Sequence, residues 1–339
     1  MDKGIEYSKR LGKLTSDQFQ AALTKFGLGD FVKADSVSSG LFGQNVIITS
    51  TEGKFVLRGK PHYEWQFPKE KYGAELLHTF TKAPVPYPYL HDTSTDIFGW
   101  SYLIMPYMSG ISPANEEISI NERIDISYAL GKNLAELHEC KWAFPGQYDQ
   151  LTNTIKPFDS GYKEWLIMNM EQMLTKINDN SGICKNEALW VREYVNKNVS
   201  VLQGSFQPCF VMNDYSPGNV VVKKVNGEWI ISGLFDLMEY YFGDGLADLV
   251  RLTAMYLDNY KNKAPDLIRV FVEGYFSKVA KEENIIEKFK LFMLMDRLLV
   301  WEYGIRPDVT WFNKNDSFSD YVKRYINISE VLDILIKSS

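Results

Sequence analysis

The sequence predicts an α+β fold in two lobes, a small β-rich N-lobe over residues 1–105 and a larger helical C-lobe over 106–339. Three observations carry this. Short β-rich runs crowd the stretch before Met105, and apolar residues recur at helical spacing from Asn121 onward. Between them, Pro106-Tyr107-Met108-Ser109-Gly110 breaks the last strand-like run and reads as a hinge. A chain of 339 residues is long enough for two such domains, each with its own core.

Thr15 or Ser16 caps a first helix that runs to about Phe26, with Phe19, Leu23 and Phe26 on one face and Gly27 or Gly29 ending it. Val37 leads into a glycine-bearing turn, Gly40 to Gly43. Asn45 to Thr49 then pairs with Lys54 to Arg58 across Ser50 to Gly53. Lys69 to Thr81 is a helix, closed by Pro84-Val85-Pro86, and Ser101 to Met105 is a strand. Asn121 to Cys140, Tyr162 to Ile177 and Leu189 to Leu202 are helices of the second lobe. Further helices begin at Leu246, Pro265, Ile285 and Ser319, the last running to the end. The crowded aromatics, among them Tyr162, Trp165, Trp190, Tyr194, Trp301, Tyr303 and Trp311, are expected mostly in the core.

Composition excludes more than it assigns. The net charge of −6 argues against nucleic acid or an anionic membrane as partner. No apolar run is long enough to span a bilayer, and Met1-Asp2-Lys3-Gly4 lacks a signal core. Cys140, Cys184 and Cys209 are too far apart for a metal or disulfide pattern, so a cytoplasmic protein, monomer or homodimer, is expected.

The chemistry concentrates in Met212-Asn213-Asp214-Tyr215-Ser216-Pro217-Gly218-Asn219. Two strand-like runs follow, joined through Asn226-Gly227, a strong hairpin signal. The hairpin returns the chain, so Asp236 comes back beside Asn219. Their converging oxygens suit Mg²⁺, and Asp214 is left to orient a hydroxyl. None of the four histidines lies in this motif, which argues against zinc-hydrolase or Ser-His-Asp chemistry.

The stretch Asn213 to Asn219 resembles the catalytic loop of the aminoglycoside phosphotransferase family, in which the protein-kinase-like fold serves small substrates. Leu234-Phe235-Asp236 through Gly243-Asp244 to Asp248-Leu249 is similar to the family's metal-Asp segment. Lys54 to Arg58, Ala83 to Pro86 and Leu130 to His138 resemble its third strand, its turn and its first C-lobe helix. Hygromycin B and viomycin phosphotransferases look nearest by the Phe-Val-Leu-Arg strand. The resemblance implies ATP or GTP as co-substrate, Asp214 as the catalytic base, and Asn219 and Asp236 as Mg²⁺ ligands. It puts Arg58 on the phosphates with Glu70 as its anchor, and Val56 and the Met105–Tyr107 hinge against the adenine. Lys60 is a rival phosphate ligand if Gly59 bulges the strand. Gly40 to Asn45 is either a phosphate-covering loop or a plain hairpin turn. Asp248 is expected to buttress the loop and His138 to pack beneath it, while Lys69 and Lys71 are expected in solvent. Glu164, Glu171 and Glu239 are candidates for binding a polycationic acceptor in a cleft between the lobes.

The function these readings imply is phosphoryl transfer from a nucleotide to a hydroxyl of a small molecule, an aminoglycoside-like antibiotic first. The alternatives are a metabolic kinase for an amino alcohol or sugar derivative, a macrolide kinase, and a nucleotide-binding regulatory module without turnover.

Overall fold

The structure, a computed structural model, describes residues 4–37, 43–180, 182–204, 206–307, 309, 312–313 and 316–337. The elements run β1 (Ile5–Ser8), β2 (Gly12–Leu14), α1 (Ser16–Phe26), β3 (Phe31–Ser36), β4 (Asn45–Ser50), β5 (Gly53–Gly59), α2 (Gln66–Phe80), β6 (Leu90–Asp92), β7 (Tyr102–Pro106), α3 (Ile120–Leu137), β8 (Gly146–Asp149), β9 (Thr154–Pro157), α4 (Tyr162–Asp179), α5 (Lys185–Asn198), β10 (Cys209–Val211), β11 (Val220–Val225), β12 (Glu228–Leu234), β13 (Tyr241–Gly243), α6 (Leu249–Tyr260), α7 (Ala264–Phe276), α8 (Ile285–Gly304), α9 (Phe318–Ile326) and α10 (Ser329–Lys337). They form two compact units. One holds Met1–Asn115, Tyr148–Thr154 and Gly218–Glu239; the other holds Glu116–Gln147, Ile155–Pro217 and Tyr240–Ser339.

The first unit is built on an antiparallel sheet in the order β3-β4-β5-β7-β6. The expected β4–β5 hairpin forms, in register from Asn45↔Arg58 to Ser50↔Gly53. Strand alternation sends Val46, Ile48 and Leu57 into one core with Phe19 and Leu23 of α1 and Leu11 and Leu14 of the N-terminal hairpin. Leu57 is fully buried, and a leucine so placed contributes about 1.5–3 kcal/mol. Arg58, the next residue, therefore falls on the opposite face. Thr15 caps α1 in a capping box with Gln18, and Gly27 ends it at φ 66°. Helix α2 starts earlier than expected, at Gln66, because the Gln66 side chain accepts the His62 N–H (2.8 Å) and steadies the entry.

Hairpin β11–β12 closes through Asn226 (φ 52°) and Gly227 (φ 88°), a two-residue turn with both residues left-handed. The sequence places this hairpin after the boundary at 105, in the second lobe. It belongs instead to the first unit, because its bonds lie there. Val222 exchanges backbone bonds with Ile111 (2.9 Å each way), Ser232 Oγ donates to Ser109 O (2.7 Å), and Leu234 N–H donates to Pro84 O (3.0 Å).

In the second unit, Ser119 and Glu122 form the capping box of α3. Helices α3 and α7 meet at glycines on both sides. A Cβ on Gly131 would lie 2.0 Å from Phe271 O, and one on Gly274 would lie 2.3 Å from Tyr128 O. Strand β13 pairs with β10 and, at Phe242↔Gly146, with β8. The single helix expected from Ser319 is two, α9 and α10, interrupted at Asn327-Ile328; Asn and Ser at such a junction favour caps over helix interior. Of the aromatics expected in the core, Tyr162 and Trp301 are buried, Trp165 and Trp190 are half-buried, and Trp311 lies outside the described residues.

Candidate active site

In the first unit, β5 aims Arg58 at a cluster of polar side chains. Its Nη1 stands 3.1 Å from Glu70 Oε2, and its Nη2 stands 3.2 Å from Asp236 Oδ1 and 3.4 Å from Gln44 Oε1. Gln66 Nε2 donates to Glu70 Oε1 (3.0 Å), so the carboxylate is held from both sides. Glu70 is fully buried. Burial pushes its carboxyl up, while Arg58 pulls it down; the 3.1 Å contact favours the ion pair. Burial disfavours the Arg58 charge, but Glu70 and then Asp236 outweigh it and raise its pKa. The Tyr89 hydroxyl is buried without a hydrogen-bond partner among the described residues and feels Glu70, Arg58 and Asp236.

Asp236 stands just past β12 with φ 61°, in the left-handed region that Asp tolerates better than most residues. Phe235 N–H donates to Asn219 O (2.8 Å), so the hairpin does bring the ends of the motif together. The Asp236 side chain keeps 33% of its surface exposed, and its Oδ2 makes no bond among the described residues. Lys69 is half-buried rather than solvated. Burial pushes it down to about 8, with Glu239 and then Glu70 opposing, and its ammonium lies 5.4 Å from the Trp65 ring. Lys71 is exposed.

In the second unit the loop after β10 is held from below. Asp248 accepts the N–H groups of Met212 and Asn213, both at 2.7 Å, one on each oxygen. His138 Nε2 lies 3.1 Å from the same carboxylate, and its Nδ1 lies 2.9 Å from Tyr275 OH. Tyr215 OH donates to Leu130 O (3.0 Å). These ties let Asn213 sit at φ 66° and leave the Asp214 carboxylate partly exposed. Asp214 Oδ1 is 3.5 Å from Arg251 Nη1, and Arg251 Nε donates to the buried Asp296 (2.6 Å). Asp296 also pairs with Arg297. Burial raises the Asp296 carboxyl, but Arg251 and Arg297 together pull it below its usual range.

The remaining sequence-predicted residues fall as follows. Asp248 and His138 buttress the loop as expected. Val56 lies opposite Met105 across the sheet, on the Arg58 face of β5. The Tyr107 N–H is engaged with Lys54 O (3.0 Å). Gly59 pairs in register with Tyr102, so β5 has no bulge there, and Lys60 Nζ is spent on Arg10 O (3.0 Å). A Cβ on Gly59 would fall 2.1 Å from the Trp100 ring, which is why glycine stands there. Residues 40–42 of the expected phosphate loop lie outside the described residues. Glu164 is exposed and paired with Lys163 (2.8 Å). Glu171 is held bidentately by Arg192 at 2.8–3.1 Å, and Glu239 is exposed in the first unit. The sequence reading missed Gln44, Gln66, Arg251 and Asp296. Only Arg251 carried a usable signal, one helical turn beyond Asp248.

The comparisons with known proteins bear on the family and the fold. A family model described as a phosphotransferase enzyme family matches residues 34–283. No curated protein matches the chain. Among solved structures, the chain is similar to a protein of Ralstonia eutropha JMP134 provisionally named an aminoglycoside phosphotransferase, at 12% identity and TM-score 0.62, covering 95% of this chain and 98% of that one. It is similar to a macrolide 2′-phosphotransferase of Brachybacterium faecium (12%, TM-score 0.57, covering 92% and 98%). It is also similar to a thermostable mutant of the aminoglycoside phosphotransferase APH(4)-Ia in ternary complex with ADP and hygromycin B (12%, TM-score 0.55, covering 94% and 97%). At such identities these likenesses carry the fold, the α+β protein-kinase-like fold expected from the sequence.

Proposed function

The chain belongs to the phosphotransferase enzyme family, and on that premise we propose that it moves the γ-phosphoryl group of ATP or GTP to a hydroxyl of a small molecule. The observation that supports this reading is Arg58 held at once by Glu70 and Asp236, a fixed cation beside the carboxylate proposed to meet the metal. Asn219 and Asp236 fit Mg²⁺: both offer hard oxygens, and the Asp236 Oδ2 has no partner among the described residues. Bound there, the ion would offset the charge of the phosphates. Asp214 accepts the proton of the acceptor hydroxyl as that oxygen bonds to the γ-phosphorus. The bond to the β,γ-bridging oxygen breaks, and the nucleoside diphosphate leaves.

For the acceptor, an aminoglycoside needs carboxylates to meet its ammonium groups. Glu171 is held by Arg192, Glu164 by Lys163, and Asp214 itself faces Arg251. These pairings favour a neutral hydroxyl acceptor, a sugar derivative or a macrolide, over a polycation. The test is a Mg·ATP and Mg·GTP phosphorylation screen over aminoglycosides, macrolides, sugars and amino alcohols. Asp214→Asn is the control and should cut turnover roughly 10²-fold or more while nucleotide affinity holds. Near-wild-type turnover in that variant removes Asp214 from its role. Preferred turnover of an aminoglycoside, weakened by salt, overturns the neutral-acceptor reading.

A further inference from the structure

The N-terminal hairpin takes no part in the chemistry so far described, yet its tip reaches the Arg58 cluster. Strands β1 and β2 pair from Ile5↔Leu14 to Ser8↔Gly12, with Lys9 to Leu11 in the turn. The turn is anchored, because Leu11 and Leu14 are buried in the first unit's core and Tyr7 meets Phe19 edge-on at 5.5 Å. Leu11 N–H donates to Ser8 Oγ (3.2 Å), which donates on to Gly43 O (2.5 Å).

Arg10 stands at this fixed tip. Its Nε donates to Lys60 O (2.9 Å), and Lys60 Nζ returns a bond to Arg10 O (3.0 Å). The same Lys60 carbonyl accepts from Gln44 Nε2 (3.0 Å), while Gln44 Oε1 accepts from Arg58 Nη2 (3.4 Å). Arg10 is thus linked to Arg58 through one carbonyl and one amide. Its own Nη groups make no hydrogen bond or ion pair among the described residues. His62 reports the shared neighbourhood: it is pushed below its usual range by burial first, then by Arg10 and Arg58, with Asp236 opposing. A guanidinium anchored at Nε presents its other N–H groups already oriented, the arrangement suited to bidentate phosphate. A structural staple would need only the Nε bond and would not need the charge.

We propose that Arg10 is a second nucleotide-phosphate ligand, delivered by the N-terminal hairpin beside Arg58. This rests on the nucleotide-dependent reading above. The hairpin then closes the phosphate side of the nucleotide site with a charge that comes from outside the motif-bearing segments.

The test is calorimetric titration of the full chain with Mg·ATP and, separately, with adenosine. Arg10→Gln keeps a donor near Lys60 O and removes the charge. It should weaken Mg·ATP roughly tenfold, leave adenosine within about twofold, and flatten the salt dependence of ATP binding. Arg10→Lys should recover a good part of the loss. Wild-type ATP affinity in Arg10→Gln overturns the inference, as does an equal loss for adenosine, which would mark a packing role. A wild-type chain that binds no nucleotide sinks the nucleotide reading and this inference with it. A wild type that binds, with Arg10→Gln unchanged, sinks the inference alone.

Discussion

Beside Asp214 stands a guanidinium, and that residue-level fact shapes what the carboxylate can do. Arg251 Nη1 lies 3.5 Å from Asp214 Oδ1, so the guanidinium helps to fix where that carboxylate points. Arg251→Gln removes that support while Asp296 keeps Arg297, so no buried charge is orphaned. With the Asp214 carboxylate less firmly placed, kcat should fall while nucleotide KM holds. Steady-state kinetics check this; an unchanged kcat separates Arg251 from the positioning of Asp214. In the first unit, Asp236→Ala should weaken magnesium-dependent nucleotide binding more than Arg58→Ala does, because Asp236 is the proposed ligand of the ion itself and Arg58 one cation among several. Calorimetry at several magnesium concentrations decides it. The Arg58–Glu70 ion pair and the return of the hairpin to Asn219 were legible, the first from the resemblance of the β5 strand and the second from the Asn-Gly turn. Gln44, Gln66 and Asp296 were not, since polar residues without a motif acquire meaning only through partners distant in sequence.

Elements were legible wherever caps and turn residues announced them. Thr15 with Gln18, Ser119 with Glu122, and Asn226-Gly227 each fix a boundary by local hydrogen bonding or left-handed backbone. What periodicity cannot report is which helix lies against which. Gly131 and Gly274 are ordinary letters in their segments, yet each admits the other helix's backbone. Gly131→Ala should cost about 2–4 kcal/mol, because a carbonyl and not a flexible side chain must give way; chemical denaturation measures it. The Lys25–Asp92 pair between α1 and β6, at 2.6 Å, offers a pH test. Burial alone would raise the Asp92 carboxyl, but Lys25 and the Ser94 N–H hold it down to about 2, below its unfolded value. Its stabilisation is therefore present above an unfolded pKa near ~4 and lost as pH falls through about 2. Asp92→Asn should lower the denaturation midpoint at pH 7, with the gap to wild type closing as pH falls towards about 2.

At the scale of the whole chain, the sequence anticipated two compositional halves but not their membership. Local pattern divides the chain once, near Met105. The structure divides it several times, because 148–154 and 218–239 return to the first unit. The bonds responsible, from Ile111, Ser109 and Pro84, join segments whose separation no local pattern encodes. Nucleotide should therefore act on residues scattered through the sequence. Mg·ADP at a hundredfold excess over its dissociation constant should add about 2.7 kcal/mol of stability. Hydrogen exchange should slow in Asn45–Gly59, Gln66–Phe80 and around Asn219 and Asp236. Protection confined to the second unit would contradict the assignment of the nucleotide site.

Asp248 grips the loop after β10 by two amide hydrogens, at 212 and 213, which every residue except proline possesses. Such a grip is indifferent to spelling. Part of the loop's contour is thus written in a carboxylate some thirty-five positions downstream, and the side chain at 212 is released from that part of the work. Position 212 can exchange its thioether for another side chain and keep the same grip. A residue with no amide hydrogen at 212 or 213, or loss of Asp248 itself, would release that grip.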